Sequence, residues 1–209
     1  MLISFEEIQK VLNKYNIKIN GVLHLGAHDC EEIPIYKRFG LTKTDVIWID
    51  ALPHKVNEAK ARGIPNVYNA VITDKDDDTI MFNVTNNIMS SSILDLHTHL
   101  SEHPHVHLIG QIPMKTQTLN TFFEKNKIDT SKLNFWNFDI QGAELLALKG
   151  AAAHIHNTDV LYLEVNVKEL YKNCALMNEI DAFLSNYGFK RVITELTQYG
   201  WGDALYIKL

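Results

Sequence analysis

Apolar positions along this chain fall into two patterns, short continuous runs and stripes at helical spacing, and the order of the two predicts the fold. Phe5, Ile8, Val11, Leu12 and Tyr15 recur at helical spacing behind Ser4, which forms a capping box with Glu7. An amphipathic helix within residues 1–18, serving as a lid or a packing helix, is therefore expected first. Val22, Leu23 and Leu25 make a short strand that ends at Gly26-Ala27, and a helical pattern over 31–39 closes at Gly40. Residues 46–50, V-I-W-I-D, form a continuous apolar run ending in an acid, as for a parallel strand covered on both faces. Pro53 then starts a helix that runs to Gly63.

A third strand is expected over 66–73 and an exposed, alternating one over 79–84. The acidic turn between them, 74–78, lacks the glycine and distal glutamate of an EF-hand loop and reads as a solvated turn. From 85 to 111 the periodicity fails, which predicts a mobile loop over a site. An extended segment over 112–118 enters a helix over 119–127, and a buried strand over 133–139 delivers Asp139 to its carboxyl end, followed by a Gly142 turn and a helix with Leu145, Leu146 and Leu148. Residues 159–165 form another apolar strand carrying Glu164, and a helix through Leu176, Ile180, Phe183, Leu184 and Tyr187 ends at Gly188. Two strands, 189–196 and 203–209, close the chain as a hairpin around Q-Y-G-W-G.

Strands alternating with helices imply an α/β fold with a mostly parallel sheet, and two successive strands at the end imply one antiparallel member. The 209 residues, 46% of them apolar, suit one domain with a substantial core. A net charge of -5 and a pI near 6.0 leave no basic footprint, so no nucleic-acid partner is expected. Cys30 and Cys174 are too few for a disulfide framework and read as reduced thiols. No run approaches the length of a membrane span and the first residues are acidic, so a soluble, cytoplasmic protein with no membrane partner is expected. Nothing in the composition fixes an oligomeric state.

In open α/β sheets ligands sit outside the carboxyl ends of the strands, and Gly26, Asp50, Ala70, Asp139 and Glu164 all fall at such ends. Asp50 follows Gly26 by 24 positions, close to the spacing at which an acid binds a ribose diol. A nicotinamide dinucleotide and S-adenosylmethionine both fit that arrangement. The loop G-A-H-D-C-E-E sets three acids where a diphosphate would lie, whereas a sulfonium and an amino group gain from nearby carboxylates. The methyl donor is therefore favoured. Five histidines between His97 and His107 raise the question of zinc, but no cysteine or fixed geometry accompanies them, so no metal site is assigned.

From Val22 to Leu209 the chain resembles the FkbM-type family of S-adenosylmethionine-dependent methyltransferases. The resemblance rests on H-L-G-A-H-D-C-E-E, W-I-D-A-L-P, N-A-V and S-S-S-I-L, and above all on F-D-I-Q-G-A-E-L-L-A-L-K-G, residues 138–150. It implies a class I methyltransferase fold, a Rossmann-like three-layer sandwich whose seven-stranded sheet has its last strand antiparallel. It also implies O-methylation of a hydroxyl on a glycan or small metabolite. By the same resemblance Gly26 and Ala27 lie under the cofactor, His24 and His28 flank its methionine part, Asp50 binds the ribose, Ala51 and Ala70 border the adenine, and Asp139 faces the methyl group. His24 stands where the family usually has an acid and Cys30 replaces its loop glycine; Glu31 or Glu32 is then left to meet the cofactor's amino group.

An aliphatic hydroxyl gains from a base that takes its proton as the new bond forms, and Asp139 is the first candidate, with Glu164 a second polar group of the acceptor pocket. A divalent metal held by Asp139 and another acid is the less favoured route. Ser91 and Ser92, with Ser90, either present hydroxyls to the acceptor or are simply loop, and His97 is the histidine taken as reaching it. Tyr171, Trp201 and Trp48 read as core or rim. Asp139 could instead be only a helix cap, and Glu144 only a first-turn acid matching the helix dipole. A nicotinamide oxidoreductase and a non-catalytic cofactor-binding module remain the alternative functions.

Overall fold

Two apolar faces need cover when a strand is hydrophobic throughout, and the computed structural model, which describes residues 1–209, shows how this chain supplies it. The main sheet uses β1 (Val22–Leu25), β2 (Val46–Asp50), β3 (Val67–Asn69), β7 (Phe135–Phe138), β8 (Val160–Asn166), β9 (Phe189–Leu196) and β10 (Trp201–Lys208). Their order is β3-β2-β1-β7-β8-β10-β9, and β10 lies antiparallel to both of its neighbours. The remaining strands, β4 (Val71–Ile72), β5 (Thr79–Thr85) and β6 (Leu108–Gln117), make a small second sheet of order β4-β6-β5.

Alternate residues of each central strand feed opposite cores. Leu23, Trp136, Phe138 and Leu163 pack with α5 (Leu119–Asn126), α6 (Glu144–Lys149) and α7 (Met177–Ser185). Val22, Trp48, Phe135 and Tyr162 pack with α1 (Phe5–Lys14), α2 (Ile33–Arg38) and α3 (Pro53–Ala61). The capping box at Ser4 and Glu7 starts α1, whose Ile8 and Leu12 join this second core, so α1 is a packing helix. No helix is long and apolar enough to cross a membrane.

Three segments depart from the sequence pattern. The expected third strand over 66–73 is broken at Ala70: β3 ends against β2, and β4 swings out to pair with β6. A continuous apolar run does not reveal which of two sheets each half joins. The extended segment expected over 112–118 begins earlier, at Leu108, because most of β6 is exposed and has no buried face to impose alternation. The aperiodic stretch 85–111 is also more ordered than its sequence suggests. Asn83 bridges Ser92, Leu96 bridges Tyr171, and a short helix α4 (His99–Glu102) follows. The acidic turn at 74–78 caps α5, with Asp76 accepting from the Thr118 amide at 2.7 Å and the Thr121 hydroxyl at 2.8 Å.

Candidate active site

β1, β2, β7 and β8 run parallel, so their carboxyl ends share one edge of the sheet, and a cavity of about 350 Å³ opens there. Gly26, Asp50, Ala70, Asp139 and Glu164, the residues expected at strand ends, all line it. Gly26 has φ +84, and a Cβ there would stand 1.8 Å from the Asp139 carbonyl oxygen. Close approach of β1 to β7 thus demands glycine at this position, whatever ligand lies above it.

The loop after β1 is wound tightly, with His28 at φ +39 and Cys30 at φ +54. Asp50 holds it: one carboxylate oxygen accepts from the His28 amide at 2.7 Å and the other from the Leu52 amide at 2.8 Å. Each oxygen keeps a second acceptor position, the pair a ribose diol needs. Asn69 fixes the turn after β2 by donating to the carbonyls of Asp50 at 2.9 Å and Ala51 at 2.7 Å. His24 is 2% exposed, its ring tilted against Trp48 at 4.8 Å, with Nδ1 2.8 Å from the Tyr36 hydroxyl. Burial holds its imidazole below the ordinary range and therefore neutral. Ala27, His28, Glu31, Glu32 and Ala51 line the same cavity.

Of the three loop acids only Glu31 and Glu32 line the cavity. Asp29 is engaged by Lys55 at 3.2 Å and by Arg62, so the loop is less negative toward a ligand than its sequence implies. Ligand atoms of His28, Asp29 and Glu31 lie within 4.8 Å of one another, but those two cations already compensate Asp29. Burial pushes the Cys30 thiol up to about 12, so it is neither nucleophile nor ligand near neutrality.

At the end of β7 a network forms that the sequence did not disclose. Gln141, at φ +56, donates from Nε2 to Asp139 at 2.7 Å and to Glu164 at 2.6 Å. Its Oε1 accepts from the Tyr171 hydroxyl at 2.6 Å, which also lies 3.1 Å from the Ser90 carbonyl. Asp139 itself is exposed to the cavity rather than desolvated. Glu144 turns back from the first turn of α6 to accept from the amides of Ile140 at 2.9 Å and Gly142 at 3.2 Å, so it braces the Asp139 turn from below. Asp203 on β10 accepts from the Tyr162 hydroxyl and the Leu2 amide.

Burial pushes the Glu144 carboxyl up to about 8; burial and then the Asp139 charge raise Glu164 well above the carboxylate range. A raised folded pKa contributes stability that is complete below the unfolded value and is lost as pH climbs toward the folded one. The depressed histidines act oppositely, but only below their ordinary value of about 6.5. Raising the pH from about 7 to about 8.5 should therefore lower stability by about 1 kcal/mol or more, a few degrees of melting temperature. Glu144→Gln should flatten that slope. Thermal unfolding followed by circular dichroism across this window checks it, and a flat or rising profile in the parent protein would refute it.

Among the expected acceptor residues, Ser91 lines the cavity, where its Oγ accepts from the Thr85 amide at 3.1 Å. Ser92 and His97 do not. Ser92 donates to the Gln141 carbonyl at 2.8 Å and so ties the loop to the Asp139 turn, and His97 Nδ1 lies 3.1 Å from the Glu169 carbonyl. His99, His103 and His105 line the cavity instead. Trp48 is core, Trp201 is cavity wall, and Tyr171 is the buried partner of Gln141.

A sheet of this order, with one antiparallel strand slotted beside the last parallel one and acids at the ends of β2 and β7 facing one cavity, is the class I methyltransferase arrangement. Within that class the chain belongs to the FkbM family: the model described as the methyltransferase FkbM domain matches residues 24–191. No curated protein matches the sequence. Solved structures similar to it include a magnesium protoporphyrin IX methyltransferase from Synechocystis PCC 6803 with bound SAM, at 13% identity and TM-score 0.44, covering 98% of this chain and 78% of that one. Another is a SAM-dependent methyltransferase from Bacteroides fragilis in complex with S-adenosyl-L-homocysteine, at 12% identity and TM-score 0.39, covering 100% and 79%.

Proposed function

We propose that this protein transfers a methyl group from S-adenosylmethionine to a hydroxyl of a small-molecule or glycan acceptor, with Asp139 as the base. The reading is carried by one observation: Asp139, at the end of β7, opens onto the same cavity as Asp50, whose two oxygens each keep an acceptor position beside the Gly26 turn.

The residues present suit the cofactor. Asp50 would take the ribose hydroxyls, Ala51 and Ala70 would border the adenine, and Gly26 and Ala27 would lie beneath. Neutral His24, with His28, would flank the methionine part, and Glu32 would meet its amino group. S-adenosylmethionine would supply an electrophilic methyl carbon, which passes to the acceptor oxygen as its bond to sulfur breaks, the sulfur departing as the neutral thioether of S-adenosylhomocysteine. Alignment of that oxygen is then the main task of the protein. Gln141 donates to one oxygen of Asp139, whose carboxylate lines the cavity and can accept the hydroxyl proton. Glu164, held protonated by burial, adds a hydrogen bond without adding a second negative charge.

Asp50→Ala should weaken cofactor binding about 30-fold or more, because two charge-assisted hydrogen bonds and the brace on the His28 loop go together. Calorimetric titration with S-adenosylmethionine, S-adenosylhomocysteine and NAD checks both points. Binding of NAD in preference to the sulfonium pair would overturn the proposal, as would an Asp50→Ala protein that binds the pair as tightly as the parent.

A further inference from the structure

The segment between β5 and β6 gives the cavity a wall of imidazoles. His99, His103 and His105 line it together, with ring centroids of His99 and His103 4.8 Å apart and those of His103 and His105 6.1 Å apart. His99 is 5% exposed, yet its Nδ1 is buried without a hydrogen-bond partner. Buried polar atoms in folded proteins nearly always have partners, so His99 is left with unmet hydrogen-bonding capacity at the cavity wall. The trio is not a converged metal set, since the one group of three ligand atoms within 4.8 Å of each other is His28, Asp29 and Glu31.

Charge in the rest of the cavity identifies the partner. Glu31, Glu32 and Asp139 line it, and its one lysine, Lys55, is engaged by Asp29 at 3.2 Å and Glu58 at 3.4 Å. Tyr171 separates Asp139 from the imidazoles: its ring lies 5.5 Å from His99, and its hydroxyl bonds Gln141, which holds both Asp139 and Glu164. An anion entering this cavity is repelled from these acids, and the wall of imidazoles offers it donors. Apolar Met89, Val106 and Leu170 also line the cavity.

Resting on the transferase reading above, we propose that the acceptor is an amphipathic hydroxy-anion: its carboxylate or phosphate is bound by His99, His103 and His105, its apolar body lies on Met89, Val106 and Leu170, and its hydroxyl faces Asp139. Acceptor binding then strengthens as pH falls through the histidine range while the carboxylate stays ionised. Other elements add few charges near the trio. Tyr171 packs on His99, Tyr199 on His103 at 4.6 Å, and neighbouring Glu102 is already paired with Lys168. Burial and the neighbouring imidazoles hold His99 below its ordinary range, so it gains the proton when the anion arrives.

The test uses the full chain saturated with S-adenosylhomocysteine, whose own titration reports separately on the cofactor reading. para-(Hydroxymethyl)benzoate and the matched neutral para-(hydroxymethyl)benzamide are titrated near pH 6 and near pH 8, with the histidine side-chain resonances followed by NMR. The benzoate should bind about tenfold more tightly than the amide near pH 6, lose most of that preference near pH 8, and shift the side-chain resonances of the trio. His103→Gln with His105→Gln should abolish the preference while leaving cofactor affinity unchanged. Equal binding of the two probes, or failure of the benzoate to move these resonances, overturns the proposal. So does stoichiometric zinc binding through the same three rings.

Discussion

Asp139→Asn is expected to lower turnover by about 10²- to 10⁴-fold, the usual contribution of a positioned base, while S-adenosylhomocysteine binds as before. The substitution is close to isosteric. The asparagine carbonyl can still accept from Gln141 Nε2, and Glu144 continues to hold the turn through the Ile140 and Gly142 amides. What disappears is the ability to take a proton from the acceptor hydroxyl. Gln141→Ala provides the companion measurement. It leaves the carboxylate in place but frees it from Glu164 and Tyr171, so turnover should fall less than in Asp139→Asn. Single-turnover rates for both variants, measured beside calorimetric cofactor affinities, separate alignment from proton transfer. Full turnover in Asp139→Asn would remove this residue from the chemistry.

Gly26→Ala is expected to cost about 4 kcal/mol or more and to abolish cofactor binding. Two effects add. An alanine at φ +84 is in a conformation that costs about 1 kcal/mol for a residue with a Cβ. The larger effect is a Cβ placed 1.8 Å from the Asp139 carbonyl oxygen, where the Asp139 amide also donates to the Leu25 carbonyl at 3.1 Å. β1 and β7 are pinned together at that point, so overpacking must be relieved by moving the end of one strand. Either movement carries Asp139 or the His28 loop with it. Gly63→Ala is the control. Its φ is +72 but nothing lies within 4 Å of the added carbon, so it should cost only about 1 kcal/mol. Urea denaturation of the two variants compares them directly, and equal losses would mean that strain, not the contact with β7, is what glycine relieves.

Much of the site was legible in the sequence because topology converts order into position. Once the apolar runs are recognised as parallel strands joined by helices, their carboxyl ends must share an edge, and Gly26, Asp50, Asp139 and Glu164 follow to the same cavity. The spacing of Asp50 from Gly26 needed no contact information, because one helical crossover fixes it. Gln141 was invisible in this sense. Its role depends on a left-handed backbone at φ +56 that swings the amide between two acids, and glutamine has no tendency to signal such a position. Asp203 was missed because it reaches the cavity from a segment adjacent in space and remote in sequence, and Tyr171, read as core or rim, is core whose hydroxyl also holds Gln141.

The segment from 85 to 111 shows the limit most clearly. A run of histidines announces chemistry but not orientation, and His97, the residue first chosen, points away to the Glu169 carbonyl while His99, His103 and His105 line the cavity. Without a repeating buried face, no periodicity can say which side of such a segment looks inward. The break between β3 and β4 has the same origin, since Val71 and Ile72 are as apolar as the strand they follow and only their pairing with β6 separates them. The sequence by itself thus determined the class of fold, the common edge of its strand ends and the acids delivered there, because these follow from local periodicity and the handedness of crossovers. Tertiary structure alone decided which side chains close the cavity and how Asp139 is held, because those contacts join residues that no local pattern relates.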